Sequence, residues 1–119
     1  EMGWQMWLYL RLWAQMRLEE AGGGLRAPGD SVTLSCRGFD FIFRNYYIYW
    51  YRQSPGGRLE WISLISSPEG TTQDYGPAVK DRATIFRDNS RSEAYLSLRH
   101  LQLQDSARYF CAITRGQEM

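Results

Sequence analysis

The run Asp105-Ser106-Ala107-Arg108-Tyr109-Phe110-Cys111-Ala112 alternates with a period of two: Ala107, Tyr109 and Cys111 share one face, Arg108 and Phe110 the other. That is the pattern of a half-buried β-strand. A second cysteine closes a run of the same kind, Ser31-Val32-Thr33-Leu34-Ser35-Cys36, in which Val32, Leu34 and Cys36 share a face. Ala94, Leu96 and Leu98 repeat the pattern in Ala94-Tyr95-Leu96-Ser97-Leu98, and Trp50 lies between the two cysteines. Two cysteines framing a tryptophan, with a tyrosine two residues before the second, predict a two-sheet all-β sandwich whose indole packs against an inter-sheet disulfide. A sandwich of this kind recognises through its end loops, which points to binding rather than catalysis.

Cys36 and Cys111 stand 75 positions apart. Zinc ligands come in close pairs, so a metal site is not indicated. The cysteines are either two buried thiols or one bridge, and the placement of Trp50 and Tyr109 favours the bridge. Closing so long a loop would contribute roughly 4 kcal/mol in the chain-entropy picture. A disulfide implies an oxidising compartment, hence secretion or the outer cell surface.

With 119 residues the chain is long enough for one domain with a core and too short for two. Its net charge of +1 is spread without basic runs, which argues against a nucleic-acid partner. Aromatics reach 15%, a share that suits a packed sandwich or an adhesive surface. No uncharged apolar run reaches the length of a membrane span.

The composition changes near residue 14. Residues 1–14, EMGWQMWLYLRLWA, are dense in tryptophan and leucine. After them come short strands punctuated by Gly22-Gly23-Gly24, Pro28-Gly29-Asp30, Ser54-Pro55-Gly56-Gly57, Pro68-Glu69-Gly70 and Asp88-Asn89-Ser90. We therefore expect an atypical extension over 1–14 and a sandwich domain over 15–119.

From about Gln15 to Ala112 the chain resembles an immunoglobulin heavy-chain variable domain. The resemblance is carried by LEEAGGGL and PGDSVTLSC, by WYRQSPGGRLEWIS, and by DRATIFRDNSRSEAYLSLRHLQLQDSARYFCA. It implies the variable-type sandwich with a Cys36–Cys111 disulfide and no catalytic role. It implies a tyrosine corner, Tyr109 bonding backbone near Gln104 or Asp105, and a partly buried pair between Arg82 and Asp105 rather than two solvated charges.

Alternation turns Trp50 and Arg52 inward and Tyr51 and Gln53 outward. With Leu59, Trp61 and Phe110 the outward residues would form an exposed apolar patch around one glutamine, which a monomer rarely tolerates. In the family this surface packs on a light-chain variable domain, glutamine bonding glutamine. Single-domain camelid antibodies usually carry polar residues there, so Leu59 and Trp61 match the paired type, while Arg58 departs from it.

Carried over by position, the first hypervariable loop is Phe41–Tyr49, with Phe41, Phe43 and Ile48 as buried supports and Arg44, Asn45, Tyr46, Tyr47 and Tyr49 as contact residues. The second runs Leu64 to Asp74, with Leu64, Ser66, Ser67, Pro68, Glu69 and Thr71 as contacts. The third begins after Ala112 with Ile113, Thr114 and Arg115. Tyrosine supplies contact area at low entropic cost and arginine a directional charge. The implied antigen is expected to be a protein. Asp40 stands where the family usually has glycine, and Phe86 where it often has serine.

Both ends depart from the family pattern. Arg115-Gly116-Gln117-Glu118 lacks the tryptophan and second glycine that open the last strand, so that strand is expected to be missing, altered or supplied from elsewhere, leaving an open edge at Tyr109–Ala112. Residues 1–14 admit three readings. A leader is opposed by Arg11 and by Leu12 at the cleavage site. A strand is supported by Trp4, Met6, Leu8, Leu10 and Leu12 on one face, and it could cover that edge. The third reading is an appended disordered or helical extension.

Two functions from different classes follow: antigen recognition beside a light chain, or a receptor-like or engineered immunoglobulin module that works alone. An enzyme fits worst. His100 is the sole histidine and lies in a loop far from either cysteine in the matched frame. Gly22-Gly23-Gly24 has no following Lys-Ser/Thr, as a phosphate loop would need.

Overall fold

The computed structural model describes residues 16–116. Eight strands form two four-stranded antiparallel sheets: β1 (Arg17–Ala21), β2 (Val32–Phe39), β7 (Glu93–Leu98) and β6 (Ala83–Asp88) in one, and β5 (Gln73–Tyr75), β4 (Leu59–Ile65), β3 (Tyr46–Gln53) and β8 (Arg108–Arg115) in the other. Cys36 on β2 and Cys111 on β8 are bonded, tying one sheet to the other. The expected sandwich is the one observed.

The inward rows meet between the sheets. Leu34, Ile85, Ala94, Leu96 and Leu98 from the first sheet pack with Ile48, Trp50, Ile62 and Ile65 from the second around the disulfide. Trp50 is fully buried and stands opposite Cys111 in the β3–β8 register. Each alternating run therefore places its apolar residues in the common core.

At the end of the sandwich opposite the β2–β3 connection, Arg52 reaches the bottom of the core. It is 6% exposed and Asp105 7%. Asp105 accepts from Arg52 Nη1 at 2.9 Å, from Arg82 Nη1 at 2.8 Å and Nη2 at 3.0 Å, and from the Gln102 amide at 2.8 Å. Tyr109 completes the knot by donating its hydroxyl to the Asp105 carbonyl at 2.8 Å while accepting from Arg52 at 3.0 Å. The expected Arg82–Asp105 pair and tyrosine corner are both present, and Arg52, also paired to Glu60 at 3.0 Å, is a further member. Burial opposes ionisation of Asp105, yet the two guanidinium groups and the amide outweigh it and hold its pKa at about 2.

Backbone geometry accounts for two local choices. Gly22 has φ +99°, and a Cβ there would stand 2.6 Å from the Thr33 carbonyl, so β1 can run this close to β2 only with glycine. Asp40 has φ 67°. It occupies the position at which the family usually has glycine, and aspartate is among the few residues that enter this region readily.

The loops are narrower than their expected bounds. Strand β3 begins at Tyr46, so Tyr46, Tyr47 and Tyr49 are strand residues, and Phe43–Asn45 forms one 3-10 turn. Strand β4 extends to Ile65, so Leu64 is also in a strand and the second loop is confined to Ser66–Thr72. Among the described residues β8 pairs on one side only, with β3. The readings of residues 1–14 as leader, strand or extension, and of the final strand at Gln117 and beyond, fall outside the described residues.

Candidate binding site

Two surfaces of the second sheet carry the side chains in question: the loop end, and the flat outer face of β4, β3 and β8.

At the loop end, Phe43 is buried and Phe41 half-buried, its ring meeting that of Tyr46 edge-on at 5.1 Å. Ile48 is fully buried, as expected of a support. Beneath both loops lies Arg87. Its guanidinium donates to the carbonyls of Phe43 (2.9 Å), Tyr46 (2.8 Å) and Ser66 (2.8 Å), while Nε donates to Asn89 Oδ1 at 2.8 Å. One side chain thus joins the first loop to the second. Burial lowers its pKa to about 10, partly offset by Glu69, and it stays charged at neutral pH. This clamp was not anticipated. The signal was present: Ala83, Ile85 and Arg87 share the inward face of β6, and an arginine at an inward position needs acceptors.

Asn89 Nδ2 donates to the Pro68 carbonyl and fixes the second loop from below. Pro68, Glu69 and Thr71 are exposed at its tip. Arg44 reaches Glu69 across the gap at 3.4 Å, a contact between two exposed side chains that contributes little to stability. Arg115 extends over the Tyr46 ring at 5.9 Å, and the Gly116 amide donates to the Asn45 carbonyl at 2.8 Å. Arg44, Asn45, Tyr46, Tyr47, Ser67, Pro68, Glu69, Thr71, Thr114 and Arg115 therefore lie together at one end.

Four expected contact residues are placed differently. Ser66 is 4% exposed, and its hydroxyl accepts from the Thr72 amide at 2.9 Å, so it closes the loop rather than presenting itself. Ile113 follows Cys111 on the inward face of β8 and packs on the core. Tyr49 and Leu64 stand opposite each other in the β3–β4 register and belong to the flat face.

Three rows span all three strands of that face, because residues directly opposite in antiparallel strands point the same way, and Tyr47 with Thr114 continues them on β3 and β8 toward the loops. The upper row is Leu64, Tyr49 and Ala112; the middle row is Trp61, Tyr51 and Phe110; the lower row is Leu59, Gln53 and Arg108. The Tyr49, Tyr51 and Phe110 rings stack in succession at 6.5 and 6.0 Å. Leu59 is 57% exposed. The patch read from the sequence is thus contiguous and larger than expected, since Tyr49 and Leu64 extend it toward the loops. Gln53 donates to the Gly57 carbonyl at 3.2 Å.

His100 is exposed at a turn. Among the described residues no group of three or more His, Cys, Asp or Glu side chains is arranged to hold a metal ion, and no helix is long and apolar enough to cross a membrane.

Comparison with known families agrees with this geometry. The family model of the immunoglobulin V-set domain matches residues 25–119, most of the chain. V-set domains are typically non-enzymatic, protein-binding modules and are generally extracellular or secreted. Two disulfide-joined sheets, a loop cluster at one end and an aromatic flat face on the second sheet accompany that match: the chain belongs to the immunoglobulin V-set domain family.

Proposed function

We propose that this domain is the heavy-chain variable half of an antibody combining site, pairing with a light-chain variable domain through β3, β4 and β8 and binding a protein antigen through its loop end. The observation that carries the proposal is the flat face. Two rows of aromatic and aliphatic side chains, with Leu59 and one amide below them and Arg108 at the edge, have the anatomy of an interface core with a polar rim rather than of a solvated sheet. Pairing would leave the end around Arg44 and Glu69 free. The rigid platform beneath the loops, clamped by Arg87, favours recognition by preformed shape. Secretion or display at the cell surface accompanies this reading, since the Cys36–Cys111 bond needs an oxidising compartment.

Light scattering of the chain with a light-chain variable domain tests the pairing. A one-to-one complex is expected. Leu59→Arg puts a charge into an exposed position of the interface without touching the core, and should weaken the complex at least ten-fold. A chain that stays monomeric beside the light chain would contradict the proposal and favour a module that works alone.

A further inference from the structure

Strand β8 has a second edge, turned away from β3. Its Cys111 amide donates to Glu20 Oε2 of β1 at 3.2 Å, whereas the Gly116 amide donates on the other side, to the Asn45 carbonyl, at 2.8 Å. Amides alternate in direction along an antiparallel strand, so those of Tyr109 and Ile113 face away from β3 with that of Cys111. Among the described residues no strand lies on that side.

The same edge borders a groove. Two adjoining cavities, of about 290 and 190 Å³, lie between residues 20–28 on one side and Ala107 and Tyr109 on the other. Leu34 lines both, and Trp50 lines the smaller. The two most exposed large apolar side chains among the described residues, Leu25 at 99% and Leu103 at 81%, line the larger. Outward backbone donors beside an apolar groove suit one extended strand: the backbone supplies the ladder, and the groove takes alternate side chains.

One segment of this chain fits both features. In residues 4–13, Trp4, Met6, Leu8, Leu10 and Leu12 form an apolar row opposite Gln5, Trp7, Tyr9, Arg11 and Trp13. Extended, the segment reaches about 33 Å, more than the roughly 26 Å of the eight-residue β8. It also joins the described chain at the right place. β1 begins at Arg17, opposite Phe39 at the loop end of β2, and the Arg17 guanidinium lies 4.1 Å from the Phe39 ring. β8 finishes at that end too, with Arg115 opposite Tyr46. A segment on the edge of β8 therefore has only to turn at residues 14–16 to enter β1. Having reached the loop end at its own last residues, it runs parallel to β8.

We propose that residues 4–13 are an added strand of the second sheet, parallel to β8 on its outer edge, with the Trp4–Leu12 row turned into the groove. The opposite row, with Trp7, Tyr9 and Trp13, then continues the outer aromatic face beyond Phe110. This role for the segment does not depend on the light-chain reading.

Amide hydrogen exchange of the full chain, followed by nuclear magnetic resonance, tests the proposal. Alternate amides within residues 4–13, and those of Tyr109 and Ile113, should exchange roughly a hundred-fold or more slowly than in an unstructured chain. Nuclear Overhauser contacts should join the start of the segment to the start of β8 and its end to the end of β8, as parallel strands require. Leu8→Asp with Leu10→Asp puts two carboxylates into the apolar row and should abolish the protection in both places. Tyr9→Lys, on the opposite row, should leave it intact. The Phe110 and Ala112 amides face β3 and should stay protected in either variant, which verifies the fold.

Exchange of residues 4–13 at the rate of an unstructured chain would overturn the proposal. So would protection of Tyr109 and Ile113 that survives Leu8→Asp with Leu10→Asp, since something else then holds the edge. Contacts in the reverse order, or protection that fades on dilution as a dimer dissociates in light scattering, would give the edge to the segment of a second copy and overturn its place within one chain.

Discussion

Asp105→Ala is expected to destabilise the domain by about 3–5 kcal/mol, the usual cost of removing one partner from a buried charge cluster. The loss exceeds that of the contacts themselves. Arg52 would keep Glu60 and the Tyr109 hydroxyl but lose the carboxylate that neutralises it at the bottom of the core. Arg82 would keep only the carbonyls of Ala78, Arg99 and His100. Chemical denaturation of the variant beside the original chain reads the effect directly. Replacing Arg52 and Asp105 together by apolar residues should cost less than Asp105→Ala alone, because Arg52, the more buried of the two cations, is then no longer left without its carboxylate.

The same knot sets the acid limit of the fold. Asp105 titrates near 3.8 when unfolded and at about 2 when folded, so its stabilisation is complete above pH 4 and disappears as pH falls through 2. Discounted for solvent at the rim of the cluster, that contribution is about 1–2 kcal/mol. Denaturation midpoints measured between pH 5 and pH 2 should fall in the original chain and fall less in Asp105→Ala, which has nothing there to protonate.

Removing the disulfide with Cys36→Ala and Cys111→Ala should cost about 4 kcal/mol, the entropy released when a loop of this length is freed in the unfolded chain. For a domain of this size that lowers the melting temperature by about 15 °C. The two sheets still share Trp50, Ile48, Ile62, Leu96 and Ile85, so the folded sandwich should persist at low temperature. The unfolded chain should expand, giving a steeper denaturant dependence than that of the bridged protein. A variant as stable as the original would show that packing alone holds the sheets.

The fold was legible because its determinants are local patterns. Alternation around Leu34, Leu96 and Cys111 assigns faces, and turn residues divide the strands. Arg52 was placed inward by the same rule, but its bond to Asp105 joins residues 53 apart in sequence, a contact that no periodicity reports. The loop boundaries were less legible. Tyr46, Tyr47 and Tyr49 are aromatic and polar at once, suiting a loop contact and a strand equally, and only pairing with Arg115, Thr114 and Ala112 decides between them. Position in the family frame makes Ile113 a loop contact, whereas its parity with Cys111 turns it toward the core. Arg87 shows the opposite case: its inward position was readable from Ala83 and Ile85, while the three carbonyls it serves are brought together only by the folded loops.

The central claim is that the β3–β4–β8 face, rather than any other surface, receives the partner. Nuclear magnetic resonance of the isotopically labelled chain, with an unlabelled light-chain variable domain added to one equivalent, tests it most directly. The account predicts shifts concentrated at Tyr51, Gln53, Leu59, Trp61 and Phe110 and continuing to Tyr49 and Leu64. The outer face of the other sheet is the internal control, where Phe86 stacks on Tyr95 at 4.8 Å and should stay unperturbed. Shifts centred on Phe86 and Tyr95, or none on the three rows, would contradict the account.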